Sequence, residues 1–149
     1  MKIVVDANIV FSGILNSNGK IGDLLINSAK FFSFIAPDFL RTEIYNHHEK
    51  LIKISELTLE QVLESEYQIY KSIMFVSEEQ IDEESWRFVD ELIHDIDSDD
   101  IVYIAYTKQF KCKLWTGDKK LINGLARKNY RNVFTTEELF IFRNNRLLT

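Results

Sequence analysis

A chain of 149 residues, 46% hydrophobic and 28% charged, is long enough to form one domain over residues 1–149 whose core needs neither disulfides nor a structural metal. Its 11 Phe and 6 Tyr argue against disorder, and the single cysteine, Cys112, excludes an internal disulfide or a multi-cysteine zinc site and reads as a buried structural thiol. A net charge of −5 argues against a domain that grips nucleic acid through bulk positive charge, although an acidic metal pocket can coexist with local basic patches.

Lys2 to Val5 is a short apolar, β-branched run that ends at Asp6 and reads as a strand buried on both faces. No element is read between Asp6 and the turn signal Asn18-Gly19, after which Gly22 to Lys30 is helix-like. Phe32 to Ala36 is the second strand, and Pro37-Asp38 opens a helix over Phe39 to Leu51, with Phe39, Leu40, Ile44 and Leu51 at helical spacings. Capping-box patterns at Thr58 to Gln61 and Ser77 to Gln80 predict helices over 58–72 and 78–93, with Ile73 to Val76 a strand between them. Ser98 or Asp99 can cap a helix over Asp100 to Gln109. A strand over Lys113 to Thr116, a helix over Lys119 to Arg127, a strand over Asn132 to Phe134 and a helix over Thr136 to Phe142 complete the chain.

Strands alternating with helices predict an α/β fold, a parallel sheet covered on both faces by right-handed crossovers, with ligands at the carboxyl ends of the strands. No apolar run approaches the ~20 residues that span a bilayer, and the N-terminus makes a poor signal peptide, so a cytoplasmic protein without a membrane partner is expected.

The carboxylates fall where such a sheet builds its site. Asp6 directly follows the first strand and Asp118 the strand ending at Thr116, the acidic cluster at 97–100 opens a helix, and Glu43 lies about one turn into the helix after the second strand. Each has a plain structural reading: a helix cap or turn for Asp6, a turn for Asp118, dipole complementarity for Asp95, Asp97 and Asp99, and a solvated helix position for Glu43. Converging carboxylates repel and raise one another's pKa unless a cation neutralises them. Oxygen-only ligands favour magnesium or manganese, and sites of that kind act on phosphate esters. Lys119 and Lys120, just after Asp118, are either phosphate contacts or solvated lysines. His47, His48 and His94 read mainly as solvent-facing, and Trp86 and Trp115 as core.

The stretches "VVDANIV" at 4–10, "PDFLRTEI" at 37–44, "DIDSDDIVYIA" at 95–105 and "LWTGDKKL" at 114–121, taken in order, resemble the PIN domain, a metal-dependent nuclease fold that includes many bacterial toxins of toxin–antitoxin pairs. The resemblance implies a three-layer α/β/α sandwich with a mainly parallel central sheet. It also implies an Mg2+- or Mn2+-dependent endoribonuclease acting on single-stranded RNA, with an antitoxin protein as a partner; separately, the region 52–95, rich in Glu and aromatic residues, reads as a helical arm suited to homodimer contact or partner docking. Carried over position by position, the resemblance assigns catalytic roles to Asp6, Glu43, Asp100 and Asp118. Asp6, Asp100, Asp118 and Asp97 become metal residues, Asp97 as the accessory acidic position for which Asp99 is the substitute, and Asn8 and Thr116 become orienting groups. Ala105, five residues after Asp100, fits the family pattern with Asp100 rather than Asp99. Phe39, Tyr45 or Tyr70 could seat the antitoxin or a second copy. The competing reading is a non-catalytic metal- or nucleic-acid-binding regulatory module on the same fold. A receiver-type phosphotransfer domain is disfavoured because the Ile73 to Val76 strand ends in Ser77 without an aspartate.

Overall fold

Short apolar runs build the sheet. The computed structural model describes residues 1–92 and 98–148. Its strands are β1 (Lys2–Val5), β2 (Ser33–Pro37), β3 (Ile73–Val76), β4 (Lys113–Trp115) and β5 (Val133–Phe134), all parallel, in the order β3-β2-β1-β4-β5. In the three central strands Ile3, Val4, Val5, Phe34, Ile35, Ala36, Leu114 and Trp115 are buried, because a parallel sheet covered on both sides demands continuous apolar strands rather than alternation.

The helices are α1 (Ala7–Leu15), α2 (Lys20–Asn27), α3 (Phe39–Asn46), α4 (His48–Ser55), α5 (Leu59–Tyr70), α6 (Glu83–Leu92), α7 (Ser98–Phe110), α8 (Lys119–Arg127) and α9 (Thr136–Leu147). The crossovers carry α1 through α5 as the chain steps from β1 to β2 to β3. The return step to β4 then lays α7 across β1, β2 and β4 on one face, with α6 packed against it. The result is the expected three-layer α/β/α sandwich, with a sheet parallel throughout. On the α2 side, α9 is tied down by Arg143, whose buried guanidinium reaches Asp23 Oδ2 at 2.7 Å and Ser28 Oγ at 3.2 Å.

Four elements depart from the sequence reading. Helix α1 has no counterpart in the sequence reading: Ile9, Val10, Gly13 and Ile14 are buried while Ala7, Phe11 and Leu15 also pack on the core, which leaves only the narrow polar stripe of Asn8 and Ser12 to reveal a helical period. The expected helix over Phe39 to Leu51 is two helices. His47, with φ −106° and ψ 11°, ends α3 and opens α4, and no Pro or Gly marks the break. At the third site Ser77 caps only a single 3-10 turn, Glu78–Gln80; Ile81 is extended, and Asp82 accepts the Ser85 amide at 2.8 Å to start α6. Lastly, α9 runs five residues beyond the expected end at Phe142, from a capping box of Thr135 and Glu138. The Thr58–Gln61 capping box forms as expected.

Gly22 shows how tightly α2 approaches the preceding loop. A Cβ there would lie 2.3 Å from the Ser17 carbonyl oxygen, a backbone atom that cannot rotate away. Gly22→Ala is therefore expected to destabilise the fold by about 3 kcal/mol, the upper end for overpacking, seen as a lower urea midpoint at unchanged slope.

Candidate active site

The strand order reverses at β1. From β1 the chain steps outward through β2 and β3, then returns to place β4 on the other side, so the crevice at the carboxyl ends of β1 and β4 is a topological switch point where open parallel sheets bind ligands. Pairing of Val5 with Trp115 brings Asp6 level with Thr116.

Asp6 is the N-cap of α1. Its Oδ1 accepts the Ile9 amide at 2.9 Å, and the carboxylate also takes the Asn8 amide and the Thr116 hydroxyl. Thr116 Oγ1 in turn accepts the Asp118 amide at 3.1 Å, and Asp118 caps α8 by accepting the Leu121 amide at 3.1 Å. Capping and site-building are thus one arrangement rather than rival readings of these two aspartates. The cap geometry aims each carboxylate at the switch point, and buried Thr116 joins them.

Burial pushes the Asp6 carboxyl above its ordinary range, and the charge of Asp118 adds to that; hydrogen bonds from Thr116, Ile9 and Asn8 act the other way. Glu43 from α3 and Asp100 from α7 complete a cleft of about 370 Å³. Four carboxylates from four separate stretches of chain, Asp6, Glu43, Asp100 and Asp118, therefore line one pocket. Asn8 lines it too, Thr116 lies buried beneath it, and Lys119 and Lys120 are exposed on the first turn of α8 beside it. Asp97 lies outside the described residues, as does His94.

Besides Ala7, two lining residues were not assigned to the site from sequence. His47, exposed at the break between α3 and α4, lines the rim of the cleft, and its ring meets Phe11 edge-on. His48, by contrast, faces away and pairs with Glu66 at 2.6 Å. Tyr103 is the other: its hydroxyl accepts the Ala7 amide at 3.1 Å. Burial, with the charges of Glu43, Asp6 and Asp100, holds its phenol protonated well above the usual range. Its signal in the sequence was its position one turn after Asp100. Of the aromatic residues considered for docking, Phe39 is half-buried against Tyr103 and Tyr70 half-buried against Phe75, while Tyr45 is exposed.

A larger cavity, about 760 Å³, lies at the opposite edge of the sheet near Thr107 and Tyr130. Its Lys108 lies over the Phe88 ring and Lys113 over Phe134, so both cations already have partners. Cys112 on that wall is half-buried, and burial pushes its thiol up to about 11, as befits a structural cysteine.

The acidic cleft has the donor chemistry of a hard divalent cation: oxygen ligands, with a buried carboxylate whose ionisation is opposed by burial and by the charge of Asp118. Among the described residues, however, no three carboxylate, imidazole or thiol groups stand close enough to ligate one ion together. The carboxylates line the cleft without closing on a common point. Among the described residues no helix is long and apolar enough to cross a membrane.

Solved structures at low identity share this fold. VapBC2 from Rickettsia felis, bound to a DNA fragment from its promoter, is 15% identical over 91% of this chain and 98% of that chain, with a TM-score of 0.65. PAE2754 from Pyrobaculum aerophilum is 14% identical over 97% of this chain and 90% of that one, at 0.66. The PilT N-terminus domain protein SSO1118 from Sulfolobus solfataricus P2 is 12% identical over 96% and 93%, at 0.51. Comparison with curated proteins gives no significant match. The PIN domain family model matches residues 4–138, nearly the whole chain and all of the cleft described above. With that match spanning both walls of the switch-point crevice, this chain belongs to the PIN domain family, a family of nucleases.

Proposed function

We propose that the protein is an Mg2+- or Mn2+-dependent endoribonuclease that hydrolyses phosphodiester bonds of single-stranded RNA, and that it is the toxin of a toxin–antitoxin pair. The observation that carries the reading is the cleft itself: four carboxylates delivered from four elements to the switch point of a parallel sheet. The likeness to VapBC2 supports the toxin part.

In this reading Asp6, Asp100 and Asp118 hold the cation, with Glu43 and Asp97 completing the acidic shell. The bound cation would supply Lewis acidity toward a phosphate oxygen and a water of lowered pKa. Thr116 orients Asp6 by donating to it and fixes Asp118 by accepting its amide. Asn8, exposed at the mouth, offers an amide to the substrate. Lys119 and Lys120 occupy the first turn of α8, where a cation opposes the helix dipole by about 0.3–1 kcal/mol each, and a phosphate backbone passing the mouth accounts for that placement.

The test is cleavage of labelled single-stranded RNA by the full chain with Mn2+, with Mg2+ and with a chelator. Cleavage should require the metal, and Asp118→Asn should lower the rate by more than about 100-fold, the upper end for a group that merely supports a ligand. The competing reading, a binding module with an acidic pocket, draws on the open spacing of the carboxylates. It predicts RNA or metal binding without turnover, an outcome that would displace the nuclease.

A further inference from the structure

Three of the cleft carboxylates ride on different carriers: Asp6 at the end of β1, Glu43 in α3 and Asp100 in α7. One side chain touches all three carriers. Tyr103 lies one turn along α7 from Asp100, on the same helix face. Its ring packs against Phe39, with centroids 5.7 Å apart, and Phe39 precedes Glu43 by one turn of α3. Its hydroxyl oxygen accepts the amide of Ala7, the residue after Asp6, at 3.1 Å.

That last bond matters because of what the helix leaves over. The first amides of α1 have no partner within the helix. The Asp6 carboxylate takes those of Asn8 and Ile9, and the Ala7 amide goes to Tyr103. The phenol ring is only 5% exposed, so this contact is held by packing from α3 as well as by the hydrogen bond.

We propose that Tyr103 is a positioning residue that sets the separation of Asp6, Glu43 and Asp100, and through it the affinity of the cleft for a divalent cation. The inference rests on the metal-dependent reading above. Two substitutions separate the bond from the packing. Tyr103→Phe keeps the ring on Phe39 and removes the hydroxyl that accepts the Ala7 amide. Tyr103→Leu removes that acceptor and the ring contact together.

Mn2+ is titrated calorimetrically into the full chain without RNA. Both variants should bind Mn2+ about 10–100-fold more weakly than wild type, as when a group supporting a metal ligand is lost, while their far-UV circular dichroism is unchanged. Wild-type affinity in both variants, with or without a lower melting temperature, would reduce Tyr103 to a packing residue and overturn the proposal. Wild type that binds Mn2+ but cleaves no RNA would overturn the nuclease reading and leave the positioning role standing. Wild type that binds no Mn2+ would overturn both.

Discussion

Asp6→Asn should abolish metal-dependent cleavage and, in the metal-free protein at neutral pH, raise the melting temperature. Both effects come from one buried carboxyl. Its pKa in the fold is raised from 3.8, chiefly by burial and further by Asp118, so folding favours the protonated form. The stability linked to this group is fully present below the ordinary pKa and is lost as pH rises through the raised one. At pH 7 the ionised carboxylate is thus a liability that a cation relieves and an amide does not carry. Asparagine caps a helix about as well as aspartate and can still accept from Ile9 and Thr116, so the fold loses little else. Each kcal/mol recovered should appear as a rise of about 3 °C in a calorimetric scan in chelator. The gap should close as the pH is lowered through the raised pKa toward 3.8 and below. Addition of Mn2+ at 100 times its Kd should stabilise wild type by about 2.7 kcal/mol and the variant by far less. A variant that melts below wild type in chelator at pH 7 would show that the carboxylate is held by contacts an amide cannot replace.

Arg143→Ala should cost about 3 kcal/mol, the lower end for breaking a buried ion pair. The lower end applies because the Asp23 side chain is 37% exposed against 7% for Arg143, so water can reach the partner left behind. The Arg143 hydrogen bond, aided by Asn27, holds the Asp23 carboxyl below its ordinary range. This stabilisation is present above the ordinary pKa of 3.8 and is lost as pH falls through the depressed one. Urea titrations at neutral pH and near pH 2 should therefore show a smaller difference between wild type and variant in acid. The part that persists in acid reflects the lost bond to Ser28 and the lost stacking on Phe140. A difference independent of pH would assign the whole loss to packing.

The strands were legible because a doubly covered parallel sheet writes itself as brief apolar runs, and the carboxylates were legible because they stand where those runs stop. Asp6 and Asp118 could be placed by that rule alone. The same physics hid α1: a helix that packs most of its circumference inward keeps only a narrow polar stripe, here Asn8 and Ser12, and its cap at Asp6 was also a candidate ligand. The break at His47 carries no Gly or Pro, so a continuous apolar spacing from Phe39 to Leu51 runs through it; His47 is exposed as the sequence reading expects, and only the fold places it at the cleft. Tyr103 reads in sequence as one more apolar-face residue of α7. Only the fold brings its hydroxyl to the Ala7 amide, 96 positions away.

The order of the sheet also sets a timetable for synthesis. Ile3 in the central strand pairs with Lys113, across almost three quarters of the chain, and Asp118 follows that partner strand. A growing polypeptide therefore displays Asp6 and Glu43 long before the opposite wall of the crevice has been translated, and the closure that joins them is a late, long-range event. With this topology no partial product that stops short of Asp118 carries the assembled acidic cleft, so whatever chemistry the cleft performs is withheld until its second wall has been made.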